Sequence, residues 1–343
     1  MSISPHITRE TSKSSVMMAA QHGFAYDPIT YNSDSYSKNC TDSLLICTAC
    51  GTQFPTDDIE KAKTCFICDD PRQFTPPSGQ SFTTLGKLRS QGYKNTFTPI
   101  SADPDRLVGI QTQPKFAIGQ RAILVRTPQG NVLFDCITLL DDDTISMIKA
   151  LGGLKAIVIS HPHYYSTHLH WARTFDCLVY LSANDQDWLA QREDDEKHQI
   201  FLRQQATNVL GTTVLKLGGH FPGSLVLLFE ESLLIADTLV TTPSGLGSYE
   251  TDALGNPRRR PLGANTFAFM WSIPNMIPLG PGDIERMWAI LKRYQFSSTH
   301  GAFPGLDVVG TPRMMKWKVL ESMQIQLLNS GHEHHPLLNE ALE

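Results

Sequence analysis

No run of about 18 consecutive apolar residues occurs in the 343-residue chain, so the pattern of a membrane-spanning helix is missing. The opening MSISPHITRETSKSS also lacks the apolar core of a secretory signal, and the expectation is a soluble, cytoplasmic protein with no membrane partner. Charge of one sign is scarce as well. Lys and Arg number 29 against 34 Asp and Glu, a formal balance of -5, which gives no general attraction to nucleic acid or anionic lipid. No repeat recurs at a fixed short period, which sets repeat arrays aside. Residues 1–43 lack apolar periodicity and mix Ser, Thr, Asn and Tyr, the composition of a poorly ordered or loosely docked arm.

A disulfide framework is also absent, since seven cysteines is an odd number and four of them form two C-x-x-C pairs. Such pairs indicate thiolate metal ligation in a reducing compartment. Cys47 and Cys50 stand fourteen residues before Cys65 and Cys68, the spacing of two knuckles that close a tetrahedral zinc site. Gly51 supplies the tight turn that the first knuckle needs. The arrangement looks like a zinc ribbon over 44–79, ending where PPSGQSFTTL has the composition of a connection. A closed four-cysteine site is structural; iron-based electron transfer is its rival. The CDDPRQF segment is too acidic for a free-standing nucleic-acid finger and fits docking onto the rest of the chain.

From residue 80 to 343 strands and helices alternate, the pattern of a mixed α/β (α+β) domain. FAIGQRAILVRT, PQGN and NVLFDC read as strand, turn and strand. DDDTISMIKALGG reads as a helix with acidic residues at its start and glycines at its end. KAIVIS is a strand leading into HPHYY, HLHWARTF a helix, CLVYLS a strand, DQDWLAQREDDEKHQIFLRQQ a charged helix, and TVLKLGG a strand. SLVLLFE and SLLIADTL form a second hairpin turning at Glu230 and Glu231, and the C-terminal third is helical around IERMWAILKRY and RMMKWKVLESMQIQLL.

Four histidines follow apolar runs. His161 and His163 close KAIVIS, His220 sits in GGHFPGS, and His300 sits in SSTHGAFPG, while Asp237 ends SLLIAD. Imidazole nitrogens and a carboxylate brought to neighbouring strand ends form a donor set that suits zinc. The order SHPH, GGHFPGS, IAD and STHG resembles the metallo-β-lactamase superfamily over roughly residues 105–310. That resemblance implies an αββα sandwich with a metal cleft at one sheet edge. It implies one zinc on His161, His163 and His220, with Asp237 and His300 contributing to a second. The family motif H-x-H-x-D-H is truncated here, since Tyr165 and Ser166 replace its Asp and last His. The expectation is therefore one zinc or an asymmetric pair in which His168 or His170 substitutes, besides one structural zinc on the cysteines.

Zinc with an open position lowers the pKa of bound water and polarises a carbonyl. Asp237 is the expected catalytic carboxylate, and Tyr165 the donor to a developing oxyanion; the alternative is that Tyr164 and Tyr165 pack the cleft wall. The resemblance points to hydrolysis of an activated acyl bond in a small organic molecule: a lactam, a lactone or ester, or a thioester, in xenobiotic degradation or secondary metabolism. The alternatives are a non-catalytic metal-stabilised binding protein and a nucleic-acid processing metallo-hydrolase; the charge balance opposes the latter.

Overall fold

The computed structural model describes residues 30–31, 38–193 and 197–342. Two sheets face each other. The first contains β1 (Lys94–Pro99), β2 (Leu107–Gln113), β3 (Ala122–Thr127), β4 (Gly130–Phe134), β5 (Ala156–Val158), β6 (Leu178–Ser182) and β7 (Gln199–Leu202). They lie side by side in reverse chain order, β7 to β1. The second contains β8 (Ala206–Val209), β9 (Thr212–Lys216), β10 (Leu225–Phe229), β11 (Ser232–Leu234), β12 (Ser298–His300) and β13 (Asp307–Val309), again in unbroken sequence order.

The apolar runs explain the layering. Ile123, Val125, Val132, Phe134 and Val158 point inward against Val214, Leu225, Leu227 and Leu234 of the other sheet. The alternating set Leu124, Leu133, Ile157 and Val179 points outward, against Ile148 of helix α1 (Asp142–Ala150) and Trp171 of α2 (His168–Phe175). Leu215, Val226 and Leu233 similarly meet Ile284, Met287 and Trp288 of α3 (Pro281–Leu291) and Met315, Val319 and Met323 of α4 (Pro312–Asn329). Strands buried on both faces need continuous apolar runs, which AILV, VLF and LVLLF supply. The result is the helix, sheet, sheet, helix sandwich that the motif resemblance implies.

Local signals fold as read. The β3–β4 hairpin turns through Pro128 and Gln129 into Gly130, which has a φ of +129°, and the β10–β11 hairpin turns through Glu230 at +51°. Asp141 caps α1 by accepting the Thr144 N–H, and Gly152 and Gly153 follow that helix with positive φ. No described helix is long and apolar enough to cross a membrane.

The charged helix expected over DQDWLAQREDDEKHQIFLRQQ does not form among the described residues. Residues Ala183–Trp188 make a short 3-10 turn, Arg192–Glu193 a two-residue strand, and the segment ends in β7, paired parallel to β6. Its buried polar residues find partners within the protein instead of solvent. Asp185 accepts the Gly223 N–H, Glu193 pairs with Arg173 and His198, and Gln199 reaches His168. Of the arm expected over 1–43, Thr30–Tyr31 pairs with Arg192–Glu193 and Lys38–Ser43 is helical, while the rest lies outside the described residues.

Candidate metal centre

Strand ends of both sheets deliver the site. β5 ends two residues before Ser160, and His161 opens a 3-10 turn at Pro162–Tyr164. β9 runs into Gly218 and Gly219, whose φ values of +71° and +92° bend the chain back and present His220. A Cβ on Gly219 would stand 2.6 Å from Thr238 Oγ1 and 2.7 Å from Leu279, so only glycine lets these loops approach. Asp237 follows β11 and is the least buried member, its side chain 14% exposed against 1% or less for the three imidazoles.

Four donor atoms converge: His161 Nε2, His163 Nδ1, His220 Nε2 and Asp237 Oδ2, all within 4.8 Å of one another. Donors bound at about 2.0–2.1 Å in a tetrahedron stand about 3.3–3.4 Å apart. Here His163 Nδ1 is 3.3 Å from His220 Nε2, and His161 Nε2 is 3.4 Å from Asp237 Oδ2. The other two measured edges, from Asp237 Oδ2 to His163 and His220, are both 3.8 Å. His161 Nε2 is buried without a hydrogen-bond partner, a costly arrangement unless a cation takes its lone pair. The residues fit a single metal ion.

Supporting contacts orient two of the four donors. Ser160 Oγ lies 2.8 Å from His161 Nδ1, so Nδ1–H can donate to the hydroxyl and leave Nε2 bare toward the cluster. The Ser160 N–H donates to Asp135 Oδ1 at 2.7 Å, with Asp135 held at a φ of +63°. Burial pushes Asp135 up to about 6. The Tyr164 O–H donates to Asp237 Oδ1 at 2.8 Å, which leaves Oδ2 facing the histidines.

Electrostatics favour the ligating protonation states. Burial pulls His163 down to about 4, and burial together with the neighbouring imidazoles holds His220 well below the ordinary histidine value. Burial alone would raise Asp237, but the neighbouring imidazoles, His161 foremost, outweigh it and hold the carboxyl well below the usual carboxylate range. The neutral imidazoles of His163 and His220 beside that carboxylate suit a divalent ion.

His300 is not part of this group. It ends β12 with its Nδ1 2.9 Å from Asp307 Oδ1 and its Nε2 3.0 Å from Ser298 Oγ, and Asp307 is tied in turn to Arg121 at 2.6 Å. Both ring nitrogens are thereby committed, and Tyr164 instead stands beside Asp237. Tyr165 also points away, its O–H donating to the Asp185 carbonyl at 3.2 Å. His168 and His170 are buried in α2 outside the cluster, His168 Nδ1 lying 2.8 Å from the Tyr165 carbonyl. The expected roles of His300 in a second metal site and Tyr165 as a donor to substrate thus meet side chains engaged elsewhere.

Sequence reasoning passed over Asp135 and Ser160, and gave Tyr164 no role beyond packing the cleft wall. A 3-10 turn has three residues per turn, so residue i+3 eclipses residue i. Pro162, at the position where proline favours the first helical turn, was the available signal that Tyr164 would cover His161; their ring centroids are 4.4 Å apart.

The four cysteines form a second cluster, also within 4.8 Å and buried. Cys47 Sγ to Cys68 Sγ and Cys50 Sγ to Cys65 Sγ are both 3.6 Å. A disulfide would bring them to about 2.05 Å, while thiolates on zinc at about 2.3 Å stand about 3.8 Å apart. Gly51 takes a φ of +83° and donates its N–H to the Cys47 carbonyl, closing the first knuckle. Cys136 and Cys177 are buried free thiols elsewhere.

No family model matches the chain. The uncharacterized protein YmaE of Bacillus subtilis is 36% identical over 259 residues, spanning 75% of this chain and 88% of YmaE. Among solved structures, the metallo-beta-lactamase FIM-1 from Pseudomonas aeruginosa in its mono-zinc form is 15% identical, with 67% of this chain and 95% of that one covered and a TM-score of 0.41. A metallo-beta-lactamase from Pontibacter korlensis is 15% identical, with 72% and 100% covered and a TM-score of 0.42. Likenesses of this size say nothing about what the chain acts on. At 36% identity across 75% of its length, the chain belongs to the same family as YmaE.

Proposed function

We propose that the chain is a hydrolase that works with one zinc ion held by His161, His163, His220 and Asp237, and that it opens an activated acyl bond of a small organic molecule. The observation that carries the reading is the convergence of those four donor atoms at near-tetrahedral spacing. Zinc would act there as a Lewis acid and acidify a water.

The chain's own residues divide the remaining work. Ser160 fixes the His161 tautomer and Tyr164 fixes the Asp237 rotamer. Burial of Tyr164 and the charge of Asp237 push its phenol well above the ordinary value, so its proton stays on oxygen and the hydrogen bond keeps its direction. Asp237, the most exposed donor, marks the side from which a substrate would approach the ion. Lactams, lactones or esters, and thioesters are the proposed substrates. The near-neutral charge fits a small neutral or weakly charged molecule better than a nucleic acid, and the paired thiols fit a reducing compartment such as the cytosol.

One observation favours a second reading. Four protein donors with three imidazoles almost fully buried is also how a closed structural site is built, as a non-catalytic metal-stabilised binding protein would have. Turnover separates the two. The purified zinc-loaded protein is assayed on lactam, lactone and thioester panels, treated with a chelator, and reloaded. Hydrolysis that disappears and returns with one zinc supports the enzyme; two firmly held zinc ions with no turnover on any panel favour the binding protein.

A further inference from the structure

The ring nitrogens of His163 and His220 that face away from the cluster, Nε2 and Nδ1, are buried with no protein hydrogen-bond partner. Ligating histidines are ordinarily oriented by a hydrogen bond at that nitrogen, so these two rings are held by something else. Both lie against Phe221, with ring centroids 5.0 and 5.2 Å away, and His161 is 5.8 Å from the same ring. Phe221 is therefore the common backing of all three imidazoles.

Phe221 is itself pinned by the four-cysteine module. Arg72, four residues beyond Cys68, places its guanidinium carbon 3.7 Å from the Phe221 ring centroid and 5.2 Å from that of Trp188. Its Nη1 donates to the His220 carbonyl at 3.2 Å. Asp70 holds the guanidinium through a fork, Nε to Oδ1 at 2.7 Å and Nη2 to Oδ2 at 2.8 Å, with both side chains about nine-tenths buried. The Pro71 carbonyl between them accepts from Ser272 Oγ at 2.6 Å and Asn275 Nδ2 at 2.7 Å. Phe66, inside the second knuckle, stacks on Trp188, which meets Phe221 edge-on. An unbroken run of packed rings and charge-assisted hydrogen bonds thus joins the thiol cluster to the histidines.

We infer that Arg72 is a positioning residue for His220, and that the four-cysteine module is part of the frame that holds the His/Asp centre. The planar fork matters as well as the charge: one edge faces Asp70, one nitrogen reaches the His220 carbonyl, and the flat face covers Phe221. Lysine supplies none of these together. Removing the fork frees the His220 backbone and the backing ring at once, without touching a donor atom.

The inference rests on the His/Asp cluster binding zinc, and zinc titration of the full-length chain tests both. Chelator competition gives the affinity of each site, cobalt substitution reports the thiolate site by its charge-transfer absorption, and thermal melting reports the fold. Arg72→Gln is expected to weaken zinc at the His/Asp centre by about 10–100-fold while the thiolate signal stays at wild-type strength. Arg72→Lys and Asp70→Asn fall between the two, and they carry the test if the glutamine variant does not fold. His/Asp affinity within twofold of wild type in these variants overturns the inference. So does a parallel weakening of both sites that tracks the melting temperature, which would mean general loosening. A wild-type chain that binds only one zinc, at the cysteines, removes the metal reading itself and the inference with it.

Discussion

Four thiols gather within 4.8 Å from residues 47–68, while three imidazoles and a carboxylate gather equally closely from residues 161–237, across loops of both sheets. The thiol cluster is built locally: each knuckle is a single turn, and closing the short chain between them costs little entropy. The His/Asp cluster exists only when the sandwich is assembled, because β5, β9 and β11 must stop at one edge before their loops can meet. One centre supports the local fold around it, and the other reports whether the whole fold has formed. Substitutions that act on one cluster and spare the other put this contrast to the test.

The largest effect is expected for the paired His161→Ala and His163→Ala substitutions. Two of four donors vanish, and the chain should lose one equivalent of zinc by elemental analysis while the thiolate site keeps its own. Loss of both equivalents would mean that the thiol cluster depends on the sandwich more than its local construction implies. Tyr164→Phe follows. It removes the donor to Asp237 Oδ1 and keeps the ring over His161, so a weakening of about 10–100-fold in zinc affinity at the His/Asp centre is expected from competition titration. An unchanged affinity would show that packing alone orients Asp237.

This contrast also explains what the sequence disclosed. The C-x-x-C pairs are legible because their geometry is local, and His161, His163, His220 and Asp237 because strand ends are marked by apolar runs that stop at Gly, Pro or Asp. The choice between Tyr164 and Tyr165 was not legible at helical or strand period, since a three-residue turn decides it. Residues 185–205 read as a charged helix because charge patterning assumes solvent; Asp185, Glu193 and Gln199 find buried partners from distant segments, and tertiary pairing overrides the pattern. The docking of CDDPRQF was legible from its charge, but its position over His220 depended on where the sandwich places that loop.

The seam between the two regions offers a smaller, pH-dependent effect. Gln191 Nε2 donates to the Gln53 carbonyl on the ribbon side, Gln199 Nε2 donates to the Gln191 carbonyl, and His168 Nε2 lies 2.9 Å from Gln199 Nε2 and accepts from it. Burial pulls His168 down to about 4. The unfolded chain takes up this proton below about 6.5 while the folded chain resists until about 4. The contribution is therefore favourable above pH 6.5 and is lost as pH falls through that window. His168→Gln should flatten the acid side of the melting-temperature profile by a few °C, a shift on the order expected for a domain of this size. An acid limb of unchanged slope would show that His168 is not what titrates.

The smallest effect on either centre is expected at His300, where the family resemblance would place a large one. A histidine in reserve for a second metal should keep one nitrogen available, but here Asp307 takes Nδ1 and Ser298 takes Nε2, and Arg121 fixes Asp307 from the other side. The residue therefore ties β12 to β13 and to the start of β3, and its work is structural. His300→Gln preserves part of that hydrogen bonding in a site with no exposure. It should cost about 1–3 kcal/mol in stability by urea denaturation, the range for disturbing a buried polar pair. Zinc stoichiometry at the His/Asp centre should be unchanged and its affinity within twofold. Loss of a zinc equivalent in this variant would mean that the ring leaves Asp307 to bind metal, and that the one-ion centre drawn around His161, His163, His220 and Asp237 is too small.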